Sequence, residues 1–285
     1  MVKNRHTTLS GFLFSVLIFF PGFIFSQVSG SKPDDGSTVY DVVDPKTMEI
    51  DADFNLEHYT ANGTGGKNKL QLGVQADLKY FNAPNLTFRY GVVKNFELQL
   101  ITGYTGVLTK GQISIKTKQN RIIKALKNET GLSSPGLGFK AGLMKNKHAR
   151  PSLAFTGIFT LPNIGDPLFT PNNAGADLSF NMYNSLSEDA DIAYDIGTNW
   201  SGYYEDPHNS YNYTVSPGFT FSDDFGLYLD FAGILEKGFT PDNRIDIDMS
   251  FALGDYVTLD TYIGTSFNIK KFYYLGATLT TTIPF

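Results

Sequence analysis

The chain has 285 residues, no cysteine and a formal net charge of −5. Without cysteine there are no disulfides and no thiolate metal sites, and an acidic chain makes a poor partner for nucleic acid. Beyond the amino-terminal stretch, no apolar run is long enough to cross a membrane as a helix, a limit that does not bind a barrel whose strands turn half their side chains to a polar interior.

Lys3, Arg5 and His6 precede an apolar stretch from Leu9 to Phe25, followed by Ser26-Gln27. A cationic start, an apolar middle and a small residue at the junction are the parts of a secretory signal, so residues 1–26 are expected to be cleaved off near Ser26. The competing reading, a retained anchor, is set aside because Pro21 and Gly22 interrupt the end of the stretch. Removing Lys3 and Arg5 leaves the mature chain still more acidic. Residues 27–46, rich in Ser, Gly, Asp and Pro, are expected as a flexible periplasmic arm.

From residue 47 to 285 the pattern has period two. Met48, Ile50, Ala52, Phe54 and Leu56 share one face, against Glu49, Asp51, Asp53, Asn55 and Glu57 on the other. Leu86, Phe88 and Tyr90 alternate with Thr87 and Arg89; Leu98 and Leu100 with Glu97 and Gln99; Leu137, Phe139 and Ala141 with Gly138 and Lys140. Ile192, Tyr194 and Ile196 oppose Asp191, Asp195 and Gly197, and Ile245, Ile247 and Met249 oppose Asp246 and Asp248. The final stretch alternates Tyr273, Leu275, Ala277, Leu279, Thr281 and Ile283 with Tyr274, Gly276, Thr278, Thr280 and Thr282, and closes on Phe285. Successive strand side chains point to opposite faces, so each strand has one apolar and one polar side.

Connections supply an independent signal. Val93–Asn95, Lys145–Ala149, Ser187–Glu188, Ser222–Asp224 and Gly254–Tyr256 read as tight turns, and between them lie longer connections at 60–68, 105–133, 162–172, 201–210 and 237–242. Short and long alternate, as periplasmic turns and extracellular loops do in outer-membrane barrels. The short link from Phe267 to Lys271 is the exception. The expected fold is all-β: a transmembrane, antiparallel, up-and-down barrel of about twelve strands, with about ten or fourteen as alternatives. The uncertain stretch is 69–92, which reads as one long strand or two. Phe285 is expected to be the signal read by the barrel-assembly machinery, and outer-membrane lipid and lipopolysaccharide are the expected surroundings.

The outward faces hold almost no charge, as lipid demands. The inward faces place Glu49, Asp51, Asp53, Glu97, Asp177, Asp191, Asp195, Asp230, Asp246, Asp248 and Asp260 in the lumen, against Arg89, Lys140 and Arg244. Two readings of these carboxylates stand side by side: an acidic, water-filled path that favours cations, or a closed interior in which they pair with basic groups.

The stretch 105–133 is the most basic, with Lys110, Lys116, Lys118, Arg121, Lys124 and Lys127, and Ile122, Ile123, Ala125 and Leu126 at roughly helical spacing. It is either a constriction, with Arg121, Lys124 and Lys127 folded into the acidic lumen, or a surface loop facing lipopolysaccharide phosphates. Tyr59, Tyr104, Trp200, Tyr203, Tyr213, Tyr256, Phe272 and Phe285 fit interfacial aromatic girdles. His58, His148 and His208 have no evident catalytic partner, and no spacing suggests a metal or cofactor, so the chain reads as a non-enzyme.

Several stretches carry a family resemblance: Pro84-Asn85-Leu86-Thr87-Phe88-Arg89-Tyr90-Gly91 with Glu97-Leu98, Gly136-Leu137-Gly138-Phe139-Lys140-Ala141-Gly142, Leu161-Pro162, Pro171-Asn172-Asn173, Asn243-Arg244-Ile245-Asp246, and Val257-Thr258-Leu259-Asp260 with Gly264. They resemble the outer-membrane proteins linked by name to the meta-pathway of phenol degradation. The stretch Tyr40-Asp41-Val42-Val43-Asp44-Pro45 departs from the Arg-Pro-Asp-like segment of that family. The resemblance implies a barrel in a Gram-negative outer membrane that passes small solutes, hydrophobic or aromatic ones among them. A non-conducting barrel acting through its outer loops is the alternative.

Overall fold

The computed structural model describes residues 42–285 apart from 66–70, 117–120, 126, 146–150, 203–207, 238–239 and 270. The strands are β1 (Thr47–Gly65), β2 (Gln71–Val93), β3 (Phe96–Lys116), β4 (Arg121–Ala125), β5 (Glu129–Leu132), β6 (Gly136–Met144), β7 (Ser152–Thr160), β8 (Gly175–Ser185), β9 (Ala190–Ser201), β10 (His208–Ser222), β11 (Phe225–Glu236), β12 (Asp242–Ala252), β13 (Val257–Ser266) and β14 (Tyr273–Pro284). All neighbours are antiparallel, and β14 pairs back onto β1 from Thr47↔Pro284 to His58↔Tyr273. Twelve strands close the ring; β4 and β5 pair with the far reach of β3, in line with β6. Closure pairs every strand of the twelve-stranded ring on both sides, the condition for a sheet to cross lipid.

The alternation read from the sequence becomes an inside-out protein. Leu98, Phe180, Ile196, Ile247 and Ile263 point outward and are 45–58% exposed, forming a continuous apolar belt of the kind that lipid covers. Across that belt Phe96, Phe139, Phe155 and Phe180 make an aromatic row over four neighbouring strands, with successive ring centroids 6.1, 5.9 and 5.0 Å apart. The buried side chains are instead the inward polar ones, among them Glu97, Asn181, Asp248 and Asp260.

Two expectations are corrected, and one open alternative is decided. The stretches 60–68 and 105–133 are not loops throughout: β1 runs to Gly65, β3 to Lys116, and β4 and β5 occupy much of the return. Past the lipid belt a hairpin wall no longer needs an apolar face, so residues such as Gly63, Thr64, Gly111 and Gln112 continue the ladder with little hydropathy signal. Ile122, Ile123 and Ala125 accordingly lie on a strand paired with β3, not on a helix. The stretch 69–92 is one strand, and its ambiguity comes from a register shift between Asn82 and Asn85 around Pro84, which has no N–H to give the ladder.

Candidate functional site, the lumen

Parity and register place every proposed lumen residue on the inward face: Glu49, Asp51 and Asp53 on β1, Arg89 on β2, Glu97 on β3, Lys140 on β6, Asp177 on β8, Asp191 and Asp195 on β9, Asp230 on β11, Asp246 and Asp248 on β12, and Asp260 on β13. The start of β1, Phe285 and the tight turns lie at one end of the barrel, here the turn end; the longer connections lie at the loop end.

At the turn end, Arg89 reaches Glu49 at 2.6 Å and Glu97 at 2.9 Å. Glu97, fully buried, also accepts hydrogen bonds from Gln99 Nε2 at 2.8 Å and from the Val43 backbone N–H at 2.7 Å. Lys140 stands directly across from Glu97 on the neighbouring strand. Toward the loop end, Arg244 reaches Asp242 at 2.7 Å and Glu57 at 3.2 Å, with its guanidinium over the rings of Phe272 and Tyr274. Both arginines therefore spend their charge on two carboxylates each.

The remaining carboxylates line two walls. On one, Asn181 donates to Asp195 and Asn199 to Asp177, with Thr156 donating to Asn181. On the other, Thr278 donates to Asp53 at 3.0 Å, Thr280 to Asp51 at 2.9 Å, and Tyr274 to Asp246. Asp248 lies in register between Tyr228 and Tyr262. Hydroxyl and amide donors hold these carboxylates in place without adding positive charge, so the wall stays acidic.

Glycines on the neighbouring strands receive three inward tyrosine rings. Tyr228 lies over Gly218, Tyr262 over Gly276 and Tyr274 over Gly264; a Cβ built on any of the three would come within 2.4 Å of the ring. Each ring lies along the wall and carries its hydroxyl toward a neighbouring strand. Sequence reasoning missed these pairs; the available signal was an inward glycine directly beside an inward tyrosine in the ladder.

At the loop end, the connection that sequence reasoning treated as an ordinary outer loop at 162–172 folds back onto the wall beside β5. Asp166 accepts the Leu132 backbone N–H at 2.6 Å and packs on the inward side of Gly131, where a Cβ would strike its carboxylate. Ser134 donates to Ile164 O at 3.0 Å, and Phe169 is 3% exposed. Of the expected constriction residues, Arg121 and Lys124 lie on β4, opposite Lys116 and Ile113 of β3, and Lys127 is exposed. Tyr59 and Phe272 correct the girdle reading: they are buried and stacked with centroids 5.8 Å apart inside the barrel. His58 stacks on Tyr273, His148 falls outside the described residues, and among the described residues no trio of His, Asp or Glu is placed to hold a metal ion. Phe285 is exposed and donates its N–H to Lys46 O at 2.9 Å.

No protein-family model matches the chain, and no curated protein is similar to it in sequence. Among solved structures, an outer-membrane channel from Pseudomonas putida F1 superposes with a TM-score of 0.57 at 12% identity, over 87% of this chain and 99% of that one. A toluene transporter from Ralstonia pickettii gives 0.44 at 7% identity, over 85% and 89%, and a KdgM porin 0.45 at 10%, over 81% and 98%. The first of these shares the barrel fold with this chain.

Proposed function

We propose that this chain is an outer-membrane channel for small solutes, with an acidic lumen that favours cations and uncharged polar molecules over anions. The observation that supports it is the surplus of fixed inward carboxylates, on β1, β8, β9 and β11 to β13, over the inward cations of Arg89, Arg244 and Lys140, the two arginines each already held between two acids and Lys140 facing Glu97. Fixed negative charge in a narrow polar path attracts cations and repels anions. The fold shared with the P. putida channel agrees with this reading.

In the same reading residues 1–26 direct export, the turn end faces the periplasm, and the apolar belt sits in outer-membrane lipid with lipopolysaccharide around the loop end. The lumen described here is polar, which favours water-soluble solutes over the hydrophobic ones that the family resemblance implies. No chemistry is assigned to the barrel. The test is planar-bilayer recording of the refolded protein, with folding checked by heat-modifiable gel migration. Discrete conductance steps support a channel; a folded barrel that gives none contradicts it and turns attention to the outer loops.

A further inference from the structure

Residues 42–46, expected as the end of a flexible arm, lie inside the barrel at its turn end. Three strands touch them. On β2, Gly91 faces inward, and a Cβ there would stand 2.1 Å from Asp44 O and 2.4 Å from Val43 O, so the strap's backbone rests directly on the wall. Pro45 forms a parallel bridge with Gly91, and Lys46 donates its N–H to Gly91 O at 2.9 Å. On β3, Glu97 accepts the Val43 N–H at 2.7 Å. On β6, the inward Gly142 leaves the gap into which Val42 reaches, its Cγ2 3.3 Å from where a Cβ would be.

The chain thus crosses the inward faces of β6, β3 and β2 before it turns at Lys46 into β1. That turn needs a left-handed backbone at Lys46, with φ of 62°, closed by a Thr47 N–H to Asp44 O bond of 3.0 Å. Val43 is 4% exposed, while Asp44 is exposed. Two glycines where the wall would otherwise carry side chains, and a buried carboxylate aimed at a backbone N–H, make a seat for peptide.

We infer that residues 42–45 form the constriction of the channel at its turn end, held by the Glu97 carboxylate and the flat faces of Gly91 and Gly142. The inference rests on the channel reading above and adds the element that sets the narrowest passage at that end. Asp44 is the strap's ionisable group and is exposed; in this inference it extends the acidic lining to the exit.

The test compares three proteins in planar bilayers: the mature chain, a form lacking residues 27–45, and Asp44→Cys, whose thiol is unique because the natural chain has no cysteine. Removing the strap is expected to raise single-channel conductance severalfold. Modifying Asp44→Cys with a bulky cationic methanethiosulfonate is expected to lower conductance severalfold and weaken cation preference, while the same reagent on Asp224→Cys, in an outer face of a tight turn, leaves it unchanged. Should truncation compromise folding, the thiol experiment on the full mature chain decides alone. Equal conductance in mature and truncated forms, with no effect at Asp44→Cys, overturns the strap and leaves the channel standing. Silence from mature and truncated barrels alike, both folded, overturns the strap together with the channel reading; silence from the mature form with conduction from the truncated one supports the strap and overturns the open-channel reading.

Discussion

Asp230 and Asp246 stand directly opposite one another on β11 and β12, both facing the lumen, and Asp230 is 4% exposed. Like charges in that relationship weaken a sheet, so the pair is held at a cost in stability. Tyr274 donates to Asp246, and Gly264, the Asp246 neighbour on β13, leaves space for the ring to approach. The arrangement concentrates negative charge at one level of the lumen, the level at which the proposed cation preference would be set.

Neutralising that level is expected to weaken ion discrimination. Asp230→Asn and Asp246→Asn each remove a charge worth about 1 kcal/mol to a cation at about 4 Å in water, which corresponds to about a fivefold fall in the cation-to-anion permeability ratio. Reversal potentials in a salt gradient check this. An unchanged ratio in both variants would mean that ions do not pass this level.

The tyrosine and glycine pairs predict a steric effect away from any charge. Gly276→Ala drives a methyl into the ring of Tyr262 and is expected to cost about 1–3 kcal/mol, the range for overpacking a filled site. The displaced ring also enters the lumen and lowers conductance. Replacing Tyr262 by Leu in the Gly276→Ala background should restore conductance but only part of the stability, because a Cβ at 276 would also stand 2.6 Å from Phe54 O; urea unfolding in lipid vesicles and bilayer recording provide the readouts.

Arg89→Ala leaves Glu49 and Glu97 facing each other without their shared cation, and Glu97 is fully buried. A loss of about 3–5 kcal/mol is expected, the range for breaking a buried pair from one side. Arg89→Met combined with Glu97→Gln should lose less, because it removes the orphaned charge as well. Equal losses in the two proteins would refute the pairing as the cause.

The apolar belt predicts a dependence on depth. Ile247, outward in the middle of β12, should tolerate Arg poorly, at about 2–4 kcal/mol, whereas Leu253, just past the turn end of β12, should cost about 0–1 kcal/mol. Refolding yields and unfolding free energies in vesicles separate these values, and similar costs at both sites would argue against a lipid-spanning belt.

Much of this barrel was legible in the chain because lipid and lumen impose opposite chemistry on alternate residues. Ile245, Asp246, Ile247 and Asp248 declare their faces without any partner being known, and the inward placement of Glu97 and Lys140 follows from the same rule. The rule fails beyond the lipid, where the outward face of Leu98 and Leu100 continues along β3 into Gly106 and Lys110 while strand pairing runs on to Lys116. It also fails for contacts set by the third dimension. Nothing local in Asp166 indicates that it packs on Gly131, nor in Val43 that its N–H points at Glu97; those relationships depend on a loop and a strap returning to a wall built elsewhere in the sequence. Tyr59 and Phe272 misled for a related reason: an aromatic at a strand end suits a headgroup girdle and an inner stack equally well, and only the register of β1 on β14 decides.

The central claim is an open, acidic path through the barrel. Its most direct test is the reversal potential of single channels formed by the refolded mature chain under a potassium chloride gradient. The account predicts discrete steps whose reversal potential lies on the cation side of zero and moves toward zero in Asp230→Asn and Asp246→Asn. A reversal potential on the anion side, or a folded barrel that passes no current, would contradict it.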